Sequence, residues 1–162
     1  MKFATKCVWI TLAGVLLVAA TVRAQEAGNW PGFKAQIAIC GARALMFAED
    51  LAEAVASASD EDRFVLNTLE EWQDEIIRYV NATLMMTELS EIGGQKPRAV
   101  EILRLWSGTG FDLVTMRARN LSVFGRFGGL EPQTREMIAG MERMLEDLRA
   151  PLGVWSGREA AE

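Results

Sequence analysis

The sequence predicts an all-α protein, an antiparallel four-helix bundle that follows an N-terminal signal peptide. Apolar residues recur at steps of three and four through four segments, which is the spacing of amphipathic helices. Clusters of Gly, Pro, Ser and Asp separate these segments, and no alternating β-branched run indicates a strand. Amphipathic helices joined by short loops favour an antiparallel bundle.

Residues 1–24 have the three parts of a secretory signal peptide. Lys2 and Lys6 make a positive start, residues 7–22 are uncharged and mostly apolar, and Val22-Arg23-Ala24 has small residues at the cleavage positions. The apolar run is shorter than the roughly 20 residues that a spanning helix needs. We therefore expect cleavage and export to the periplasm or the extracellular space. The alternative is an uncleaved membrane anchor.

The chain that remains after cleavage, residues 25–162, has a normal size for a single helical-bundle domain. It loses three cations to cleavage, so its net charge changes from −5 to −8. Nucleic acids and anionic membranes both select a positive surface, which this charge disfavours. No later apolar run is long enough to span a membrane. We expect no nucleic-acid partner and no membrane span after signal cleavage.

The chain contains no histidine, which excludes several kinds of site. A Ser-His-Asp triad, a Cys-His pair and His-ligated zinc or haem all need the imidazole. Cys7 leaves with the signal peptide, so Cys40 has no partner for an intramolecular disulfide. Cys40 lies at helical spacing between Ile37 and Ala44, which favours a core thiol over an intermolecular bridge. We expect no catalytic residue, no cofactor and no metal.

The first two predicted helices cover residues 33–58 and 62–92. Ser59 and Asp62, just before the second helix, have the spacing of a capping box. Three polar residues, Gln73, Thr83 and Thr87, share the apolar side of this helix. The apolar positions that we expect to face the core are Ile37, Cys40, Ala44, Phe47, Leu51, Ala54 and Ala58, then Val65, Leu69, Trp72, Ile76, Val80 and Leu84.

The third predicted helix covers residues 98–127 and contains two interior glycines, Gly108 and Gly110. Each interior glycine costs a helix about 1 kcal/mol relative to alanine, so we expect a kink, a break or a tight backbone contact there. Arg117 and Asn120 fall on the apolar side of this helix. The apolar residues predicted to face the core are Ile102, Trp106, Leu113, Met116, Phe124 and Phe127.

The fourth predicted helix covers residues 132–149, with Pro132 in its first turn. A tail follows Pro151, and its Leu152 and Trp155 are expected to cover one end of the bundle. The inward residues of this helix are Met137, Met141, Leu145 and Leu148.

Arg117, Asn120 and Gln73 are the candidate ligand-binding residues. A guanidinium on an apolar face must find a carboxylate, an amide or an anionic ligand, because burying it unpaired is costly. The alternatives are an arginine at the rim whose stem lies along the apolar surface, an internal polar network, and an anion-binding pocket between helices. The last would accept a small anionic ligand.

Three functions are compatible with these features. We expect first an exported, non-enzymatic helical bundle that binds a protein partner or a small ligand. The alternatives are a histidine-free enzyme that acts on a small anionic substrate through an inward arginine, and an envelope-anchored helical sensor or scaffold. Five apolar residues lie off the main stripes and are expected at a partner surface or a homodimer contact, namely Trp30, Phe111, Met85, Met86 and Leu89.

Overall fold

The protein is all-helical across the part of the chain that the structure describes. This structure, a computed structural model, describes residues 30–94 and 97–158, and no strand occurs among them. The predicted signal peptide lies outside the described residues. The four helices are α1, Trp30–Ser57, α2, Asp60–Ile92, α3, Pro97–Phe124, and α4, Pro132–Ser156.

The helices share one core, and aromatic pairs join them at both ends. Trp155 near the end of α4 stacks on Phe33 near the start of α1, with ring centroids 4.8 Å apart. Trp72 of α2 and Phe124 of α3 stack at 5.6 Å. Such pairs add to the stabilisation that burial of the rings already supplies.

The predicted core faces of α1 and α2 are confirmed. Ile37, Ala44 and Leu51 of α1 are buried, as are Leu69 and Ile76 of α2. The strict steps of three and four explain this success, because each helix has one continuous apolar side. In α4 the predicted core residues Met141, Leu145 and Leu148 are likewise buried, and Met137 is half-buried.

The inward face of α3 differs from the predicted one. Of the residues predicted to face the core, Ile102 is 49 %, Met116 48 % and Phe127 43 % exposed. Phe124 is buried and Trp106 is half-buried against the core, as predicted. The other buried residues of α3 were not predicted, namely Leu103, Ser107, Gly108, Gly110, Val114 and Leu121. Small residues admit the closest backbone approach, so the helix turns its small side to its neighbours and leaves much of its larger apolar side outside.

The glycines of α3 do not break the helix, which is continuous from Pro97 to Phe124. The third predicted outcome, a tight contact, is the one observed. A Cβ added to Gly110 would lie 2.6 Å from Cε1 of Tyr79. Glycine is therefore needed at residue 110 for the packing of α3 on α2.

Helix α4 does not end near Arg149 as predicted but continues through Pro151 to Ser156. A proline inside a helix has no N–H for the carbonyl four residues earlier, here that of Asp147. The thiol of Cys40 approaches this carbonyl oxygen at 3.5 Å and donates to it. Gly157 then ends the helix in the left-handed conformation, at φ 72°.

Trp30 is also placed differently from the prediction. The first helix was predicted to begin at residue 33, with Trp30 at a partner surface, but α1 begins at Trp30 and buries the indole. The indole meets Trp155 edge-on at 5.4 Å, and its Nε1 donates to Glu91 at 3.2 Å. Partners more than sixty residues away decide its burial, so local spacing did not reveal it.

The capping residues of α2 act on two helices. As predicted, Ser59 caps α2, and its hydroxyl accepts from the N–H of Asp62 at 3.4 Å. The Asp62 carboxylate does not complete a capping box. Instead, its buried Oδ2 accepts from the N–H of Glu131 at 3.0 Å and from the hydroxyl of Thr134 at 2.8 Å. It thus satisfies donors at the start of α4, where Glu131 makes no side-chain cap.

Cys40 is a buried free thiol, as predicted. Burial raises its pKa to about 11, from an ordinary value near 9. The folded state therefore favours the neutral thiol. This contribution is complete below the pKa of the unfolded thiol and is lost as the pH rises towards 11.

We expect the Cys40 thiol to resist alkylation in the native protein and to react fully in denaturant, because only the exposed thiolate is a good nucleophile.

Between pH 8 and pH 10.5 the wild type should lose about 2 kcal/mol more unfolding free energy than Cys40→Ala. Urea titrations at the two pH values measure the difference. Equal losses of unfolding free energy in the wild type and in Cys40→Ala would contradict the raised pKa of the buried Cys40 thiol.

Candidate functional site

Arg117 lies at the rim between α2 and α3. Its Nε and Nη2 donate to one carboxylate oxygen of Glu75, at 3.0 and 2.6 Å. Its guanidinium also lies over the ring of Trp72, 4.8 Å from the centroid. Arg117 thus lies at the rim, which is one of the predicted alternatives, and it also has a carboxylate partner. An anionic ligand at this guanidinium would have to compete with Glu75.

Gln73 and Asn120 do not join Arg117 in one site. The Gln73 side chain is buried, and its Nε2 donates to the carbonyl of Ala44 in α1. Its Oε1 is buried without a hydrogen-bond partner. Asn120 is exposed, one turn beyond Arg117 on α3. The two α3 residues are therefore neighbours, whereas Gln73 faces another helix. A ligand-binding role for these three residues stays a prediction.

A polar network that the sequence did not predict joins α2 to α3. The Tyr79 hydroxyl donates to the carbonyl of Trp106 at 2.9 Å, and the Trp106 indole N–H donates to the hydroxyl of Thr83 at 2.9 Å. Thr83 in turn donates to the carbonyl of Tyr79 at 2.8 Å. The two rings stack at 5.1 Å, and burial raises the pKa of Tyr79 to about 12. Because each hydroxyl and the indole N–H has an internal partner, this network holds the two helices together.

A stripe of apolar and uncharged residues, all exposed except the half-buried Leu113, runs along the outside of α3. We call it the α3 outer stripe. Steps of three and four keep its members on one side of the helix, and i+3 hydrogen bonds continue the turn through residue 127. Leu105 is 68 % exposed, and no charged residue interrupts the stripe. It consists of Ile102, Leu105, Thr109, Leu113, Met116, Asn120, Val123 and Phe127.

Part of the predicted partner surface on α2 is confirmed as exposed. Met85 and Leu89 are more than half exposed, whereas Met86 is half-buried against the core. Trp30 is buried, and Phe111 is half-buried with the Arg149 guanidinium 5.4 Å from its ring centroid. Met85 and Leu89 are thus exposed as a partner surface requires, Trp30 is not, and the partner contact itself stays a prediction.

An open cleft of about 310 Å³ lies where the α3–α4 loop meets α4. It adjoins the end of the α3 outer stripe, because Phe127 belongs to both. Arg117, Asn120 and Gln73 do not line it. Its walls are formed by Gly125, Phe127, Leu130, Arg135, Ile138, Ala139 and Glu142.

The described residues show neither a metal-ligand set nor a membrane-spanning element. Within residues 30–94 and 97–158, no three carboxylate or thiol side chains converge as metal ligands would. Over the same residues, none of the helices combines the length and apolar character needed to cross a bilayer.

Comparisons of the chain with protein-family models, with curated proteins and with solved structures find no match. Function is therefore inferred from the residues themselves and from the geometry around them.

Proposed function

We propose that this protein is an exported, non-enzymatic bundle of four antiparallel helices that binds a protein partner through the α3 outer stripe. The observation that carries the proposal is the exposure of this stripe. A helix in a monomeric bundle needs one apolar side, and α3 has a second one that faces outwards.

The extent of the apolar surface supports a protein partner. The stripe runs from Ile102 to Phe127, and an α-helix rises 1.5 Å per residue, so it is roughly 37 Å long. Phe64, Met85 and Leu89 of α2 are also exposed, and helical spacing places them on one side of that helix. Single exposed apolar residues are normal on a monomer, whereas a continuous stripe as long as the α3 outer stripe is typical of a binding surface.

The surroundings of Arg117 favour a protein-binding role over an enzyme acting on an anionic substrate. The guanidinium that would hold the substrate already donates twice to Glu75 and lies on Trp72. Arg149 is similarly half-buried, but its guanidinium lies over the ring of Phe111, 5.4 Å from the centroid.

Expression of the full-length gene in a Gram-negative host tests the proposed export. We expect a soluble periplasmic product whose intact mass corresponds to a chain beginning at Gln25. A membrane-bound product that retains Met1 would contradict export with cleavage and would favour the anchored sensor or scaffold.

A photo-crosslinking amino acid in place of Leu105 tests the proposed binding surface in the same cells. The matched control carries it in place of Met46, a residue of α1 that is 64 % exposed and lies far from the stripe. We expect protein adducts from residue 105 and few from residue 46. Equal yields from the two positions would overturn the proposed binding surface.

A further inference from the structure

The residues of the α3 outer stripe are placed almost symmetrically about its midpoint, so their spacing is nearly the same whether it is followed from Ile102 or from Phe127. Its midpoint lies between Val114 and Thr115. Leu113 and Met116 are equally far from this midpoint, as are Thr109 and Asn120, and the end residues Ile102 and Phe127. The distances of Leu105 and Val123 from the midpoint differ by one residue. A surface with this property is self-complementary under a two-fold axis through its centre.

We propose that the partner of the α3 outer stripe is a second copy of this chain, bound with the two α3 helices antiparallel. The inference rests on the proposed function, since it names the occupant of the same surface. A long apolar stripe on one helix is best covered by a second helix of similar length. The chain itself supplies such a helix.

The polar residues of the stripe support the antiparallel register. Thr109 and Asn120 are its two polar members, and the two-fold axis places each opposite the other on the second copy. The Thr109 hydroxyl donates to the carbonyl of Leu105 at 3.3 Å and can still accept from the Asn120 amide of the second copy when water leaves the contact. Any other antiparallel register would put one of the two against an apolar residue, at the cost of an unpaired polar group.

The charges beside the stripe also favour the antiparallel arrangement. Helical spacing puts four charged residues on one flank, the acids Glu101 and Asp112 in its first half and the arginines Arg119 and Arg126 in its second half. In an antiparallel pair, like flanks face each other with their ends exchanged, so Glu101 comes near Arg126 of the second copy. A parallel pair would instead bring this flank against the opposite flank of the second copy and lose the attraction between Glu101 and Arg126.

Sedimentation equilibrium of the protein recovered after expression of the full-length gene tests the proposal. We expect a dimer for the wild type. Met116→Glu puts a carboxylate beside the axis in both copies and should weaken dimerisation by roughly 100-fold. The matched control, Met46→Glu, makes the same change at an exposed residue of α1 and should leave the dimer intact. Thermal unfolding followed by circular dichroism checks that both variants fold.

A disulfide test determines the orientation. With Thr109→Cys and Asn120→Cys in one chain, oxidation should give a covalent dimer in high yield. Asn120→Cys alone should not crosslink, because its two copies lie on opposite sides of the axis in the antiparallel pair. A covalent dimer from the single variant would indicate parallel helices and overturn the proposed orientation.

Other outcomes separate this proposal from the proposed function. A wild type that is monomeric, or a dimer that survives Met116→Glu, would overturn the second copy as the occupant. If residue 105 still crosslinks to a protein of different mass, the binding surface is retained with another partner. If it gives no adducts above the control, the binding surface is overturned as well.

Discussion

Gly110→Ala is expected to lower the unfolding free energy by about 2–4 kcal/mol, a large share of the stability of a small domain. The added Cβ would lie 2.6 Å from Cε1 of Tyr79 and closer still to the hydroxyl end of that ring. The ring has little freedom to withdraw, because it stacks on Trp106 and donates to the carbonyl of Trp106. The substitution must therefore separate α3 from α2 or break this network.

Gly108→Ala is the matched control for this prediction. Gly108 lies two residues earlier in the same helix, and an added Cβ would make an ordinary contact with Arg158 at 3.7 Å. Alanine is a better helix former than glycine by about 1 kcal/mol, so this variant should gain stability. Urea unfolding followed by circular dichroism, at one protein concentration, measures both. Two changes of the same sign and size would show that the contact with Tyr79 is not tight.

A second substitution on α2 checks the cause. In the variant Tyr79→Leu the ring that meets residue 110 is gone, so Gly110→Ala should cost far less there than in the wild type. The coupling between the two substitutions is the difference between these two costs. If the effects of the two substitutions are additive, Gly110→Ala destabilises the protein through something other than its contact with Tyr79.

Asp62→Ala is expected to destabilise the protein by about 2–4 kcal/mol. The buried Oδ2 accepts from the backbone N–H of Glu131 and the hydroxyl of Thr134, and hydrogen bonds to a charged group are stronger than those between neutral groups. Alanine would leave both donors without a partner inside the protein. The loss should therefore loosen the start of α4, which lies far from residue 62 in sequence.

Asp60→Ala provides the control for the aspartate. Asp60 also lies in the first turn of α2, but its side chain is 92 % exposed and pairs only with Arg63. An exposed pair of this kind contributes little, so we expect a change of less than about 1 kcal/mol. Asp62→Asn keeps one acceptor and loses the charge, so its loss of unfolding free energy should lie between those of Asp60→Ala and Asp62→Ala. Chemical denaturation gives all three values, and equal effects of Asp60→Ala and Asp62→Ala would contradict the role of Asp62.

The candidate site was predictable only in part. The sequence indicated that Arg117 needs a partner, but not that the partner is Glu75, which lies 42 residues earlier on another helix. It indicated that Gln73 is buried, but not that its amide faces Ala44. It also placed Ile102 and Met116 in the core, so the surface on which the proposed function depends was hidden among predicted core residues.

The sequence by itself determined the number of helices, the approximate limits of α1, α2 and α3, the buried sides of α1 and α2, and the burial of Cys40. These features follow from local spacing, because one apolar side per helix leaves only one way to face a core. Tertiary structure decided the rest. In α3 two sides could be buried, and the close approach of Tyr79 to Gly110 selected one of them. The continuation of α4 past Pro151 and the burial of Trp30 likewise depend on Cys40 and Glu91, partners that only the folded chain brings within reach.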